Sequence, residues 1–286
     1  MLERLRRDVG RRAVRLGLLA QAAAQHAGAG PDLAGAPSVE TAFGKLFVHE
    51  RDEVVSPRLQ SSGAWEPGET ALFVERLRPG MTFLDVGAHI GYFSVLAGRL
   101  VGPSGLVLAF EPHPRNFELL LANVWRNGLG NVVCFPWAVS DVCGFAPLYV
   151  APLNTGDHQL VAPESGRETV QVRTVSLDAI PAIRPPVDVV KVDVQGAEEA
   201  ALRGMERLLE ASRDPLVVVE YWPTGLRRYG RGGNGLVDYV RSLGFRLRVQ
   251  DPEQPGVREP GAGELKRLDE REGDEFWTNL VLTRPR

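Results

Sequence analysis

From residue 81 onward, short apolar runs alternate with amphipathic segments, and this alternation restricts the fold more than any other feature. The runs with the length of a buried strand are "MTFLDVG", "GLVLAFEP", "NVVCFPWAV", "VDVVKVDV", "PLVVVEYW", the end of "GLVDYVRSLGFRLRVQ", and "FWTNLVLT". Helical segments of about 10–15 residues separate most of them, as in βαβ units. Nearly continuous apolar strands lie in sheets that are covered on both faces. The pattern predicts a Rossmann-like, doubly wound α/β fold with a mostly parallel seven-stranded sheet.

Two stretches depart from the alternation. Residues 1–40 begin with an arginine-rich amphipathic segment and end in a linker rich in Gly, Ala and Pro, so we predict an N-terminal helical extension. Such a helix can lie on a membrane surface, but more often it packs on its own domain or on a partner, and a homodimer is one way to cover it. Residues 142–180 interrupt the alternation with strand-like pieces, which predict a β-rich insertion or cap. The remaining chain, residues 41–286, is then one domain.

Composition excludes several classes of protein. The net charge of −3 provides no basic field to attract nucleic acid. Two cysteines, Cys134 and Cys143, form neither a CxxC pair nor a Cys/His cluster, which argues against structural zinc and disulfides and favours reduced thiols in the cytoplasm. No apolar run approaches the roughly 18 residues of a membrane span.

The segment "FLDVGAHIGYFS" predicts a cofactor loop at the end of the first strand of the alternation. Its glycines, Gly87 and Gly91, allow a tight turn and a close approach of a ligand. The spacing lacks the GxGxxG of nicotinamide-binding loops and the Gly-Lys-Ser/Thr of phosphate-binding loops. Glu111 ends the next strand, where an acid can bind both hydroxyls of a ribose. With Asp85 in the loop, the pattern favours a cationic nucleoside without phosphate, such as S-adenosylmethionine.

Several blocks together resemble the signature of the FkbM-type methyltransferases, which are class I S-adenosylmethionine-dependent enzymes. The blocks are "FLDVGAHIGYFS", "AFEPHPRNFELLLANV", "AVSD", "TVSLDAI" and "VVKVDVQGAEEAALRGM", preceded by "GAWEPGET". The resemblance covers roughly Leu46 to Val281, and His89 departs from it, since an Asn is commoner there.

The resemblance also implies the cofactor-binding residues. On the methionine and ribose side they are Asp85, Gly87, Ala88, His89 and Gly91, with Glu111 at the ribose hydroxyls. On the adenine side they are Pro112, Ala138, Val139, and Ser140 or its neighbour Asp141.

A hydroxyl acceptor must lose its proton during methyl transfer, so a general base is expected within reach. The candidate catalytic residues are His158, Asp193 and Glu220. These three residues and Asp157 are also possible ligands of a divalent metal. The sequence shows no three-carboxylate metal-binding pattern, so we expect no metal. We expect Lys191 to point away from Asp193. Aromatic residues that can form an apolar acceptor wall, or simply pack, are Trp65, Tyr221 and Trp222.

The function expected from these features is S-adenosylmethionine-dependent O-methylation. The resemblance implies a small-molecule or glycan acceptor: a hydroxyl of a sugar, a glycan or a polyketide-like secondary metabolite. The alternatives are an N- or carboxyl-methyltransferase of the same fold, a non-catalytic protein that binds S-adenosylmethionine, and, less consistent with the loop, a nicotinamide-dependent oxidoreductase.

Overall fold

The computed structural model describes residues 17–18, 20–21, 24–25, 33, 35–163, 166–183, 186–230, 233–270 and 277–284. The strands are β1 (Ser38–Thr41), β2 (Gly44–Phe47), β3 (Thr82–Val86), β4 (Leu106–Phe110), β5 (Val132–Phe135), β6 (Trp137–Val139), β7 (Gly144–Tyr149), β8 (Thr169–Val175), β9 (Val189–Val192), β10 (Leu216–Tyr221), β11 (Arg246–Gln250) and β12 (Thr278–Thr283). The helices are α1 (Val55–Ser62), α2 (Pro67–Arg76), α3 (Tyr92–Val101), α4 (Pro114–Arg126), α5 (Glu198–Arg203), α6 (Glu206–Ala211), α7 (Pro223–Arg228), α8 (Gly233–Ser242) and α9 (Glu264–Asp269), with a short 3₁₀ turn at Leu177–Ala179.

A seven-stranded sheet in the order β11-β12-β10-β9-β3-β4-β5 forms the centre of the molecule. The neighbours from β5 to β10 pair in parallel, and β12 pairs antiparallel with both β10 and β11. The predicted mostly parallel, doubly wound sheet is therefore confirmed. From β3 the chain adds strands first on one side and later on the other, so the point of reversal lies between β3 and β9. Ligands of such sheets bind beyond the carboxyl ends of the strands at this point.

Both faces of the sheet are buried, as the continuous apolar strands predict. Within β3, Leu84 and Val86 belong to one apolar cluster, and Phe83 belongs to the cluster on the opposite face. All five residues of β3 are buried. The first cluster is closed by α5, α6 and α8, and the second by α2, α3 and α4. Burial on two faces fixes the sheet and leaves its carboxyl edge for ligands.

A second, three-stranded sheet has the order β6-β8-β7. Strands β7 and β8 lie within residues 142–180, the region predicted as an insertion, and β6 precedes it. One expectation was wrong here, because "NVVCFPWAV" is not a single strand. Pro136 has no amide hydrogen to donate to a ladder. The chain therefore leaves the central sheet after Phe135, and residues 137–139 pair with β8 instead.

The predicted N-terminal extension, residues 1–40, lies mostly outside the described residues. Those described between 17 and 25 are helical. Leu18 is buried in the core, and the Gln25 amide binds both backbone groups of Cys134 on β5, at 2.9 and 3.1 Å. These contacts satisfy backbone hydrogen-bonding groups of β5, which is an edge strand of the central sheet. Within the described part of the chain, no helix has the length and apolar character to cross a membrane.

Candidate active site

A cavity of about 400 Å³ lies at the carboxyl edge of the central sheet. Its floor is made by the residues that follow β3, β4 and β9 and by the end of β10. Its roof is the loop of residues 154–160, with Trp65 and Trp277 at the sides. The cavity therefore sits where the order of the strands reverses.

The loop after β3 approaches both neighbouring strands closely. Gly87 has φ +85°, and a Cβ there would lie 1.8 Å from the carbonyl oxygen of Asp193. The amides of Gly87 and Ala88 both donate to the carbonyl of Phe110, at 3.0 and 2.9 Å. Gly91 lies behind the cavity lining, where a Cβ would meet Leu120 at 2.6 Å. Gly87 thus permits the strand tips to meet, and Gly91 permits α3 to pack on α4.

Asp85 and Ser140 also lie behind the cavity wall rather than in its lining. Asp85 is fully buried and its Oδ2 accepts from Ser94 Oγ at 2.6 Å, while its Oδ1 has no partner. Burial raises the pKa of Asp85. The Ser140 amide donates to Val175 across the small sheet. The other predicted cofactor residues line the cavity: Gly87, Ala88, His89, Glu111, Pro112, Ala138 and Val139.

Glu111 joins the loops that follow β3 and β4. Its two carboxyl oxygens accept from the amides of His89, at 2.8 Å, and His113, at 2.9 Å. The group is 4% exposed, and burial raises its pKa to about 7 despite these hydrogen bonds. The Asn116 amide also donates to Oε1, at 3.5 Å, so of the roughly four lone-pair sites of a carboxylate about one remains for a ligand.

His158 lies in the roof, and its hydrogen bonds define its tautomer. Nδ1 accepts from the amide of Ala151 at 3.1 Å, so we assign the proton of the neutral ring to Nε2. Nε2 is buried without a partner, and burial lowers the pKa to about 3. The ring therefore presents a hydrogen-bond donor, which disfavours the predicted role of His158 as a base.

Asp193 directly follows β9, and contacts to both of its carboxylate oxygens fix its side chain. Its Oδ2 is 2.8 Å from Lys191 Nζ, and its Oδ1 accepts from Gln195 Nε2 at 2.9 Å. Burial opposes ionisation, but the ammonium and the hydrogen bonds outweigh it and lower the pKa of Asp193. The expectation that Lys191 points away was wrong, because residues two apart on a strand share a face.

Glu220, at the end of β10, is linked to Asp193 through the same amide. Gln195 Nε2 also donates to Glu220 Oε2 at 2.9 Å. Burial and the charge of Asp193 raise the pKa of Glu220 well above its usual value. The surroundings thus move the pKa values of two neighbouring carboxyl groups apart: they favour the ionised form of Asp193 and the neutral form of Glu220.

Sequence reasoning missed Gln195 and Glu66, which both line the cavity. Gln195 has φ 53° and Glu66 has φ 42°, and the third non-glycine residue at positive φ in the described chain is His89. Such conformations cost energy and collect at functional sites. The only hint in the sequence was that each missed residue lies within two positions of a glycine, in "VQG" and "EPG".

Of the predicted aromatic wall, Trp65 and Trp222 line the cavity, and Trp277 joins them. Tyr221 does not, since it is fully buried and its hydroxyl is directed to the carbonyl of Leu265. Asp157 is paired with Arg167 at 2.7 Å. Among the described residues, no group of three or more His, Cys, Asp or Glu side chains has the arrangement of a metal site.

Relatives of the chain were found among characterised proteins. Methyltransferase sdnD of Sordaria araneosa is 33% identical over 178 residues, 50% of this chain and 68% of that protein. Hexuronic acid methyltransferase AglP of Haloferax volcanii is 28% identical over 151 residues, 52% of this chain and 59% of that protein. The 31-O-demethyl-FK506 methyltransferase FkbM of Streptomyces tacrolimicus is 31% identical over 164 residues, 46% of this chain and 61% of that protein. The matched segments thus span less than two thirds of AglP and FkbM.

The doubly wound sheet, the glycine loop after β3 and Glu111 after β4 together define the class of protein, which is a Rossmann-like methyltransferase. Residues 85–247, more than half of the chain, match the family described as "Methyltransferase FkbM domain". The chain therefore belongs to the FkbM methyltransferase family, and its methyl donor is S-adenosylmethionine.

Proposed function

We propose that the protein is an O-methyltransferase that acts on a hydroxyl group of a sugar, a glycan or a polyketide-like secondary metabolite. The observation that carries the proposal is Asp193, an ionised carboxylate at the cavity beside the glycine loop. The names of AglP, for hexuronic acid, and FkbM, for 31-O-demethyl-FK506, support sugar and polyketide-like acceptors.

The residues of the cavity fit the donor. Glu111 has a lone pair free for a ribose hydroxyl, and Gly87 lines the floor of the cavity. Pro112, Ala138 and Val139 provide apolar surface for the adenine. The carboxyl groups at the end of the cavity near Asp193 would attract the positive charge on the methionine part of the donor. When bound, the donor supplies an electrophilic methyl group.

The chain's own residues position the acceptor and take its proton. Asp193 accepts the hydroxyl proton at a carboxylate oxygen as the acceptor oxygen becomes nucleophilic. Lys191 and Gln195 fix the carboxylate, which reduces the motion needed to reach a productive geometry. The raised pKa of Glu220 favours its neutral form, which donates to the acceptor rather than competing for its proton. Trp65 and the roof exclude water from the reacting groups.

Calorimetry and a turnover assay test the proposal. S-adenosylmethionine should bind the intact protein and fail to bind the Glu111→Ala variant. With a panel of sugar and polyketide-like alcohols, release of S-adenosylhomocysteine should identify an acceptor. Asp193→Asn should lower kcat by about 10²- to 10⁴-fold, because the general base is lost, whereas exposed Asp238→Asn should have no effect.

Other outcomes would identify the alternatives. A carboxylate acceptor needs no base, so a full rate in Asp193→Asn would indicate carboxyl methylation. An amine that is methylated when all alcohols fail would indicate N-methylation. Binding of the donor without turnover of any acceptor would indicate a non-catalytic protein.

A further inference from the structure

Among the described residues that line the cavity, the exposed ones are Val54 and Trp277, and both have large apolar side chains. Val54 is 43% exposed and Trp277 is 37% exposed, whereas the other described lining residues are buried or half-buried. A side chain that lines a cavity and also meets solvent lies at the opening of that cavity. The polar groups of the site therefore lie deeper, and the opening presents apolar surface.

Leu153 extends this apolar surface along the roof. Its carbonyl accepts from the amide of Glu53 at 2.8 Å, which places Leu153 beside the segment that carries Val54. The side chain of Leu153 is 50% exposed. Single exposed apolar residues are normal on a protein surface, but a group of them around a binding cavity marks a contact area. We call Val54, Leu153 and Trp277 the apolar rim.

The size of the cavity determines what can reach the apolar rim. Pockets that enclose a ligand of drug size have volumes of about 300–1,000 Å³. This cavity, with about 400 Å³, is near the lower end of that range. S-adenosylmethionine is itself a ligand of that size, so it fills most of the cavity when bound. The reacting hydroxyl and its immediate neighbours then fit inside, and the rest of an acceptor must lie across the opening.

We propose that the apolar rim binds the body of the acceptor, and that the acceptor carries its reacting hydroxyl on a bulky apolar skeleton. The inference rests on the proposed function and narrows its acceptor to an amphipathic alcohol rather than a free, fully hydrophilic sugar. The hydroxyl donates to Asp193 inside the cavity, while the apolar part covers Val54, Leu153 and Trp277. Removing that surface from water strengthens binding by about fourfold for each buried methylene.

Two glucosides that differ only in their apolar part test the proposal. The intact protein is saturated with S-adenosylhomocysteine and titrated by calorimetry with methyl β-D-glucopyranoside or with hexyl β-D-glucopyranoside, the latter below the concentration at which it forms micelles. We expect the hexyl glucoside to bind at least about tenfold more tightly, because burial of two methylenes is sufficient for that gain.

Matched substitutions locate the effect. Val54→Ser and Trp277→Ser remove apolar side chains of the rim, and each should lower the ratio of the two affinities by at least about threefold. Val74→Ser and Trp125→Ser remove side chains that are 42% and 43% exposed but lie outside the cavity lining, so they should leave the ratio unchanged. Serine is a favourable N-cap residue, so Val54→Ser at the N-cap of α1 should fold.

Three results would overturn the inference: no binding of the hexyl glucoside, equal affinities for the two glucosides, or a ratio that the substitutions in the rim leave unchanged. An unchanged ratio together with a smaller oligomer of Trp277→Ser in size-exclusion chromatography would assign the rim to a second copy of the chain. If alcohols are methylated without any preference for the hexyl glucoside, the proposed function stands and the role of the rim falls. If S-adenosylmethionine itself does not bind, the proposed function falls.

Discussion

At the scale of single residues, Glu111 is both buried and part of the cavity lining. Burial favours the neutral acid, so its pKa rises from 4.5 to about 7. The stability contributed by the neutral form is fully present below pH 4.5 and is lost as the pH rises through about 7. The hydroxyl groups of a ligand donate hydrogen bonds to the ionised carboxylate. The affinity for such a ligand therefore rises with pH, whereas this contribution to stability falls.

We therefore predict that 5′-methylthioadenosine binds about tenfold more weakly at pH 6 than at pH 8, because ionised Glu111 falls to about a tenth of the population. The neighbouring imidazoles of His89 and His113, with pKa values of about 3 and about 4, do not titrate in this range. Asp85 also faces Glu111 and favours its neutral form. Calorimetry across pH measures the effect. The control 2′,3′-dideoxyadenosine lacks the hydroxyls and should show no such trend; a flat profile for both ligands would contradict the assignment.

Gly87 permits a second test, of the close approach between strand tips. In Gly87→Ala the new methyl group would overlap the Asp193 carbonyl at 1.8 Å, so we expect loss of donor binding and a lower melting temperature. Gly102→Ala is the matched control: φ is +63° and no atom lies within 4 Å. Since its ψ of −177° lies in a region that almost only glycine adopts, the change should cost only backbone strain, about 1–3 kcal/mol. Equal effects of the two substitutions in chemical denaturation would show that the contact with Asp193 does not matter.

At the scale of elements, one side chain of α4 ties together two segments that carry the site. Asn123 is fully buried, and its amide nitrogen donates to the carbonyls of Phe47 on β2, at 3.0 Å, and Ile90 in the loop after β3, at 2.8 Å. Its oxygen accepts from the amide of Phe47 at 2.6 Å. The loop that carries Gly87 is thus anchored from outside the sheet.

We predict that Asn123→Ala lowers the free energy of unfolding by about 3 kcal/mol, since it leaves the buried carbonyl of Ile90 and two half-buried backbone groups of Phe47 without their partner. Glu118→Ala, in the same helix, removes an ion pair with Arg115 whose two side chains are 42% and 46% exposed. That change should cost less than about 1 kcal/mol. Urea denaturation gives both values, and a loss below 1 kcal/mol in Asn123→Ala would contradict the anchoring role.

At the scale of the whole molecule, the sequence predicts the sheet better than it predicts the cavity. Strands buried on both faces produce apolar runs that are visible locally, and acids at their ends, such as Glu111 and Asp193, fall at one edge by topology. The break at Pro136 was missed because a run of apolar letters hides a change of sheet. The direction of Lys191 was misjudged although strand periodicity determines it.

Other parts of the site depend on contacts between segments far apart in sequence. Glu66 reaches the cavity from the start of α2, and Trp277 reaches it from beside the last strand. The tautomer of His158 depends on an amide of Ala151, whose position follows from the small sheet. No local pattern encodes these contacts, so they emerge only when the chain is folded.

The left-handed backbone at Glu66, His89 and Gln195 has a consequence for anyone who engineers this molecule. Glycine would relieve the unfavourable conformation at each position, so a screen that selects only for heat resistance would favour replacing all three. Each replacement would also delete a polar side chain from the lining of the cavity proposed as the active site. Variants selected for thermal stability alone, without an activity assay, would then be more stable and less active.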